Sequence, residues 1–253
     1  MTIAITRMPA ASIANCELTF IDRVTIDYAK AQEQHRAYCE ALEACGVKVV
    51  RLPADDDLAD SVFVEDTAII LDEVAIITPM GIASRRPEPA LIQQDIARFR
   101  PTVDIKLPAT IEGGDVMRLG KAIFVSLSTR TNDAGIEALR TLAAPYGYTV
   151  TKVTLRDCLH LKSACTALDD HTILVYSAGV DTSAFEGYKL VEVAADEPGA
   201  ANVVRANGSI LMNSQYPQTA KLVENLGYKV CAVDTSEFTK AEAAITCMSL
   251  IIA

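Results

Sequence analysis

No two of the seven cysteines, Cys16, Cys39, Cys45, Cys158, Cys165, Cys231 and Cys247, stand in Cys-x-x-Cys spacing. Their odd number and their scatter exclude a disulfide framework or a zinc ribbon, and point to a reducing cytoplasm. Positive charge is also scarce: 23 Lys and Arg face 33 Asp and Glu, for a net charge of −10. Binding to a phosphate backbone needs clustered basic residues, so nucleic acid is not expected as a partner, whereas a small cationic substrate is mildly favoured. No apolar run reaches the ~18–20 residues of a membrane span. The opening Met1-Thr2-Ile3-Ala4-Ile5-Thr6-Arg7 has no basic lead into a long apolar run, so no signal peptide is visible. These absences predict a soluble, cytoplasmic protein that engages neither membrane nor nucleic acid.

Half of the 253 residues are hydrophobic, enough for a large core, and the apolar runs recur in one order. After a short strand at 3–5, an amphipathic helix is predicted over 27–45, with Tyr28, Ala31, His35, Tyr38, Leu42 and Cys45 on one stripe. Gly46 ends it and a strand follows at 47–53. His35 on that stripe reads as a packed core histidine. Strands at 61–67 and 74–78, a helix at 89–99 and a strand at 103–108 come next. The same order returns as strands at 112–119 and 122–127, a helix at 133–146 and a strand at 148–155. A third pass has strands at 158–165, 172–176 and 189–193; a fourth has strands at 201–205 and 209–212, a helix at 218–226 and a strand at 228–233. The last strand, 245–250, lacks a following partner, and the N-terminus supplies one. Five units of about 45 residues result, the fifth stitched from both chain ends. An α/β architecture of ββαβ units closed into a ring leaves one central channel, with helices outside and first strands inside.

The first strands then bring Asp66, Glu112, His160, Asn202 and Cys247 to the axis. Taken singly these are weak signals. A cysteine in a terminal apolar strand reads as inert core, a histidine between leucines as a satisfied buried one, and Glu65-Asp66 with Asp60 as a solvated loop. Ile111-Glu112-Gly113-Gly114-Asp115-Val116 is the most telling stretch, because glycines within a strand pattern mark a bulge or a close approach, and embedded carboxylates need cationic or hydrogen-bonding partners. Cys158 and Cys165, on a strand, fall on opposite faces and do not suit a zinc site.

Over its full length the chain resembles the dimethylarginine dimethylaminohydrolases of the guanidine-modifying (pentein) superfamily. The resemblance is carried by Leu58-Ala59-Asp60-Ser61-Val62-Phe63-Val64-Glu65-Asp66, Ser84-Arg85-Arg86, Glu112-Gly113-Gly114-Asp115, Arg130-Thr131-Asn132, Leu159-His160-Leu161-Lys162, and Asp234-Thr235-Ser236-Glu237 leading to Cys247-Met248-Ser249. It implies a five-bladed α/β propeller with pseudo-fivefold symmetry, a single catalytic domain over 1–253, and hydrolysis of Nω-methylated arginines to citrulline and methylamine or dimethylamine. Cys247 would be the nucleophile, His160 the general acid and base, and Glu112 the acid that orients His160. Glu65 and Asp66 would hold the guanidinium, Asp60 and the Leu18 carbonyl the substrate α-amino group, Arg85 and Arg130 its carboxylate, and the Ala241 carbonyl a further main-chain contact. No metal or organic cofactor is implied, and a homodimer is compatible with the resemblance. The same thiol chemistry on arginine or citrulline is the alternative, and a non-catalytic binding protein on the same fold is disfavoured by the Cys247, His160 and Glu112 set. Two stretches depart from the family pattern: Ala243-Ala244 stands in place of glycines, and the lid segment at 16–23 carries bulky and charged residues.

Overall fold

The apolar runs placed second in each unit are the central strands of five three-stranded sheets, seen in a computed structural model that describes residues 1–253. In chain order the elements are β1 (Ile3–Arg7), α1 (Tyr28–Ala44), β2 (Lys48–Leu52), β3 (Ala68–Ile70), β4 (Ala75–Ile77), α2 (Glu88–Ala97) and β5 (Thr102–Asp104). There follow β6 (Val116–Leu119), β7 (Ala122–Ser126), α3 (Asp133–Ala143), β8 (Thr149–Val153), α4 (Leu161–Ala164), β9 (Cys165–Ala167), β10 (Thr172–Val175) and β11 (Lys189–Glu192). The chain ends with β12 (Val204–Ala206), β13 (Ser209–Asn213), α5 (Pro217–Asn225), β14 (Lys229–Val233), α6 (Ser236–Thr239) and β15 (Leu250–Ile252). In every sheet the central strand pairs antiparallel with one neighbour and parallel with the other. The fifth joins the chain ends, with Ile3 opposite Ile252 on β15 and opposite Lys48 on β2. Central strands β1, β4, β10 and β13 are buried throughout, whereas β2, β11 and β14 each open on an exposed lysine that blunts the sheet edge.

The chain forms two compact units, Met1–Val64 with Val193–Ala253, and Glu65–Glu192. In the first, α1 starts where the Asp27 carboxylate accepts the Lys30 N–H at 3.1 Å and stops at Gly46, whose φ of +76° suits glycine. Its buried face carries Tyr38 and Leu42 into a cluster with Phe63, Phe238 and Met248. His35 lies in that core, as expected, beside the Phe238 ring, and burial pushes its pKa down to about 4, so it is neutral at physiological pH. The second unit holds two apolar clusters, one around Ile76, Ile123 and Leu139 and one around Phe124, Leu161 and Phe185. In its third sheet, short 3-10 turns at Ser177–Gly179 and Thr182–Phe185 replace the helix between β10 and β11.

One expectation is corrected in every unit. In each unit a short helical turn precedes the first strand, so the strand begins later than expected; of the expected spans only 116–119 and 204–205, with the single end residues Cys165 and Leu250, are strand. Val64–Thr67, Gly113–Asp115, Leu161–Ala164, Pro198–Ala201 and Ile245–Met248 are such turns, closed by bonds three residues apart such as Asp115 N to Glu112 O at 3.0 Å and Ser163 N to His160 O at 3.0 Å. A buried turn and a buried strand both read as a short apolar run, so periodicity does not separate them. Cys158 and Cys165 are therefore not on opposite faces of one strand: α4 lies between them, and both thiols pack in the cluster of Phe124 and Phe185.

Candidate active site

The turns, not the strands, present the polar side chains. Within Glu65–Glu192, the first turn carries Glu65 and Asp66; Glu112 precedes the second and His160 precedes α4. Glu112 is fully buried, and its Oε2 lies 3.1 Å from His160 Nε2. Its Oε1 accepts the Gly81 N–H at 3.0 Å, and its own N–H donates to Thr131 Oγ1 at 3.1 Å. Asp66 Oδ1 accepts the Gly114 N–H at 3.0 Å, while its Oδ2 meets Arg85 Nη1 at 2.9 Å. Glu65, close by on the same turn, is paired with Lys162 Nζ at 2.7 Å.

The glycines of Glu112-Gly113-Gly114-Asp115 are explained by what lies against them. A Cβ on Gly113 would sit 2.0 Å from the Glu65 carbonyl oxygen, and one on Gly114 would sit 2.6 Å from His160 Nδ1 and 2.9 Å from Asp66 Oδ1. The expected bulge is a close approach of three turns, which only hydrogen at Cα permits. Gly114→Ala must displace the imidazole or the Asp66 carboxylate. A shift of that kind costs on the order of 100-fold in kcat/KM. Gly113→Ala meets backbone rather than side chain and costs about 1–3 kcal/mol of stability. Steady-state kinetics beside thermal melts separate the two effects.

Charge in this cluster is dense. Burial, the largest influence on His160, pulls its pKa down, but Asp115, Asp66 and Glu112 together overcome it and raise the value from 6.5 to about 9. His160 is therefore an imidazolium at neutral pH. Asp66 is pushed up by burial and, more strongly in sum, held below its usual range by His160 and Arg85. Burial raises Asp115, which accepts from Ser126 Oγ (2.8 Å), Ser128 Oγ (2.6 Å), Thr131 Oγ1 (2.7 Å) and the Leu161 N–H (3.2 Å). That carboxylate thus ties the turn bearing Glu112 to the residue after His160. Ligand atoms of Asp66, Glu112 and His160 lie within 4.8 Å of one another, a spacing that suits a cation. The cation beside them is the buried Arg85 guanidinium, whose Nη1 is also 4.0 Å from Glu112 Oε2. Arg130 reaches the same carboxylate oxygen at 3.8 Å.

Within the other unit, Leu18, Ala241 and Cys247 border a single apolar cluster. Cys247 lies half-buried on the turn Ile245–Met248, and its Sγ accepts the Ala244 N–H at 3.4 Å. Asn202 fixes that turn from both sides: its Oδ1 accepts the Thr246 N–H at 2.9 Å and its Nδ2 donates to Thr246 Oγ1 at 3.0 Å. Asp60 is buried and accepts the Glu17 N–H on both oxygens, at 3.2 and 3.1 Å. None of the seven cysteines forms a disulfide. Burial pushes up the thiols of Cys39, Cys158, Cys165 and Cys231, and takes Cys16 to about 11, so these stay protonated.

Several working groups were not picked out from the sequence. Glu88 grips Arg85 Nε and Nη2, with Oε2 2.9 Å from Nη2, and its i,i+3 spacing from Arg85 was the available signal. Asp115 and Lys162 stand inside quoted motifs, yet their roles depend on partners far along the chain.

A family profile described as N,N dimethylarginine dimethylhydrolase, eukaryotic, matches residues 9–192. The N(G),N(G)-dimethylarginine dimethylaminohydrolase of Pseudomonas aeruginosa is 37% identical over 248 residues, covering 97% of each chain. That of Streptomyces coelicolor is 38% identical over 249 residues, covering 98% of this chain and 95% of its own. A solved structure of the Pseudomonas aeruginosa enzyme, a cysteine-to-serine variant complexed with citrulline, has a TM-score of 0.94 at 35% identity and covers 99% of this chain and 98% of that one. The expected α/β pentein fold of ββαβ units is thereby the fold of this protein. With that fold, these identities and the matched profile, the chain belongs to the dimethylarginine dimethylaminohydrolase family.

Proposed function

We propose that the protein hydrolyses Nω-methylated arginines to citrulline and methylamine or dimethylamine through a covalent intermediate on Cys247. The observation that carries this reading is the His160–Glu112 pair, set among Asp66, Arg85 and Arg130, with His160 an imidazolium at neutral pH. A guanidinium carbon is a poor electrophile, because its charge is delocalised and its pKa exceeds ~12. Carboxylates such as Asp66 and Glu65 neutralise the cation and fix its plane. A thiol of ordinary pKa, about 8.5, needs a nearby cation to ionise. The bound guanidinium or the His160 imidazolium supplies that charge, and the Ala244 N–H steadies the sulfur.

The sulfur attacks the guanidinium carbon, and His160 gives a proton to the departing amine. The carbon remains bonded to sulfur as a thiouronium. Neutral His160 then takes a proton from water, the oxygen bonds to carbon, and the carbon–sulfur bond breaks to release citrulline and restore Cys247. Glu112 keeps the ring oriented and stabilises its charged form. Asp60 and the Leu18 carbonyl receive the substrate α-amino group, Ala241 supplies a further carbonyl, and Arg130 with Arg85 faces the carboxylate. Arg85 has a second duty, since its Nε, Nη1 and Nη2 already engage Glu88 and Asp66 and so hold Asp66 in place. The chain acts as one catalytic domain over 1–253 in the cytoplasm; no helix is long and apolar enough to cross a membrane.

Incubation with Nω,Nω-dimethylarginine, Nω-methylarginine, arginine and citrulline, following citrulline, free amine and ammonia, tests the substrate. Preference for the two methylated arginines is expected. Preference for arginine with ammonia release, or for citrulline, replaces the proposal with the alternative chemistry.

A further inference from the structure

The segment 16–26 between the turn Ala11–Asn15 and α1 has no helix or strand, and it exposes three large apolar side chains, Phe20 (53%), Ile21 (41%) and Val24 (51%). Cys16, Leu18 and Ile26 anchor its two ends in the core, but residues 19–25 are all exposed and have little burial to hold them. Arg23 donates to the Ala14 and Cys16 carbonyls at 2.5 and 2.6 Å, and further backbone ties come from α6 and the turn that follows it. Glu242 Oε2 accepts the Thr19 N–H at 2.6 Å and Oε1 accepts the Phe20 N–H at 2.8 Å, so a single carboxylate closes on two successive amides. From the same stretch, Lys240 Nζ donates to the Thr25 carbonyl at 3.2 Å, and Glu237 Oε2 accepts the Asp27 N–H at 2.9 Å. Asp60 grips the segment at Glu17, next to Leu18.

Glu242 also has a φ of +57°, in the left-handed region that costs a glutamate free energy and that glycine occupies without strain. Strain of this kind persists where the surroundings over-determine it, often at clamps and switches. Here the left-handed residue is the one that aims its carboxylate at the segment, and it lies between Ala241 and the turn bearing Cys247.

We propose that Glu242 is a positioning residue, a latch whose carboxylate holds the segment 17–25 closed and keeps Leu18 and Asp60 in place for the substrate α-amino group. The role of those two groups rests on the function proposed above; the latch itself rests on the two amide bonds and the left-handed backbone. With the latch removed, the closed segment is populated less, and apparent affinity falls in proportion to the closed fraction. The chemical step does not involve Glu242.

Glu242→Gly separates the latch from general stability, because it deletes the carboxylate and relieves the backbone together. With Nω,Nω-dimethylarginine, KM is expected to rise about tenfold while kcat is unchanged or higher. Without substrate, tryptic cleavage after Arg23 is expected to be about tenfold faster, with the melting temperature unchanged. Wild-type KM together with wild-type cleavage rate overturns the latch. A lower melting temperature with kcat and KM both impaired overturns it too, as a structural role alone produces that pattern. If the unaltered protein turns over no methylated arginine, the proposed function fails, and the cleavage rate still decides the latch.

Discussion

Cys247→Ser is expected to lower turnover of Nω,Nω-dimethylarginine by at least about 10⁴-fold, with the melting temperature unchanged. Loss of a nucleophile in a cooperating set commonly costs about 10⁶-fold, and serine is a far weaker nucleophile than a thiolate at neutral pH. The fold should tolerate the change, because Cys247 is only half-buried on the turn Ile245–Met248 and the two Asn202 bonds to Thr246 remain. The Ala244 N–H can donate to the serine oxygen as it does to sulfur. Equal loss across all four guanidino and ureido compounds is expected, since each reacts through the same atom. Release of dimethylamine at near-native rates from this variant removes Cys247 as nucleophile.

The second large effect concerns the proton. His160→Asn keeps a polar side chain beside Glu112 but cannot carry a proton between sulfur, amine and water, and should lower kcat by about 10²–10⁴-fold. In the unaltered enzyme kcat/KM reports groups of the free protein, so it should decline as pH rises through about 9, where His160 loses the proton destined for the amine. Glu112→Gln removes one of the charges that raise that value, so the decline should move to lower pH. Stability follows with a defined sign. The folded pKa of about 9 stands above the ordinary 6.5, so the stabilisation is complete below pH 6.5 and is lost as pH climbs through 9. Melting temperatures measured between pH 6 and 10 should therefore decline across that window, and less so in His160→Asn. A limb in kcat/KM centred near 6.5 contradicts the electrostatic account of the cluster.

The repeated order of units was legible in the sequence because central strands are buried on both faces and read as unbroken apolar runs, as in Ala75–Ile77 and Ser209–Asn213. Helix ends were legible through local chemistry, at Asp27 and Gly46 for α1. The first strands were misread because an apolar run such as Val62-Phe63-Val64 has the same pattern whether it extends or turns, and its partners are distant: Phe63 packs on Phe238 with ring centroids 6.4 Å apart. That error bears on function, since it moves Asp66 and Cys247 from strands onto tight turns and Glu112 and His160 to the residues just before such turns. The repeat singled out Asp66, Glu112, His160, Asn202 and Cys247, the resemblance supplied Leu18, Asp60, Glu65, Arg85, Arg130 and Ala241, and the neighbours of these groups came from neither. Asp115 joining two turns and Glu242 joining residues more than two hundred positions apart are facts of tertiary contact, whereas Glu88 gripping Arg85 is a local i,i+3 pair whose spacing was there to be read.

Acid quenching of the enzyme during turnover of Nω,Nω-dimethylarginine, followed by peptide mass analysis, tests the covalent pathway most directly. The account predicts a thiouronium carrying the citrulline skeleton, without dimethylamine, on the peptide that contains Cys247, and none in Cys247→Ser. Citrulline formed at full rate with no modified peptide at any quench time, in an enzyme whose Glu112→Gln variant accumulates none either, contradicts it.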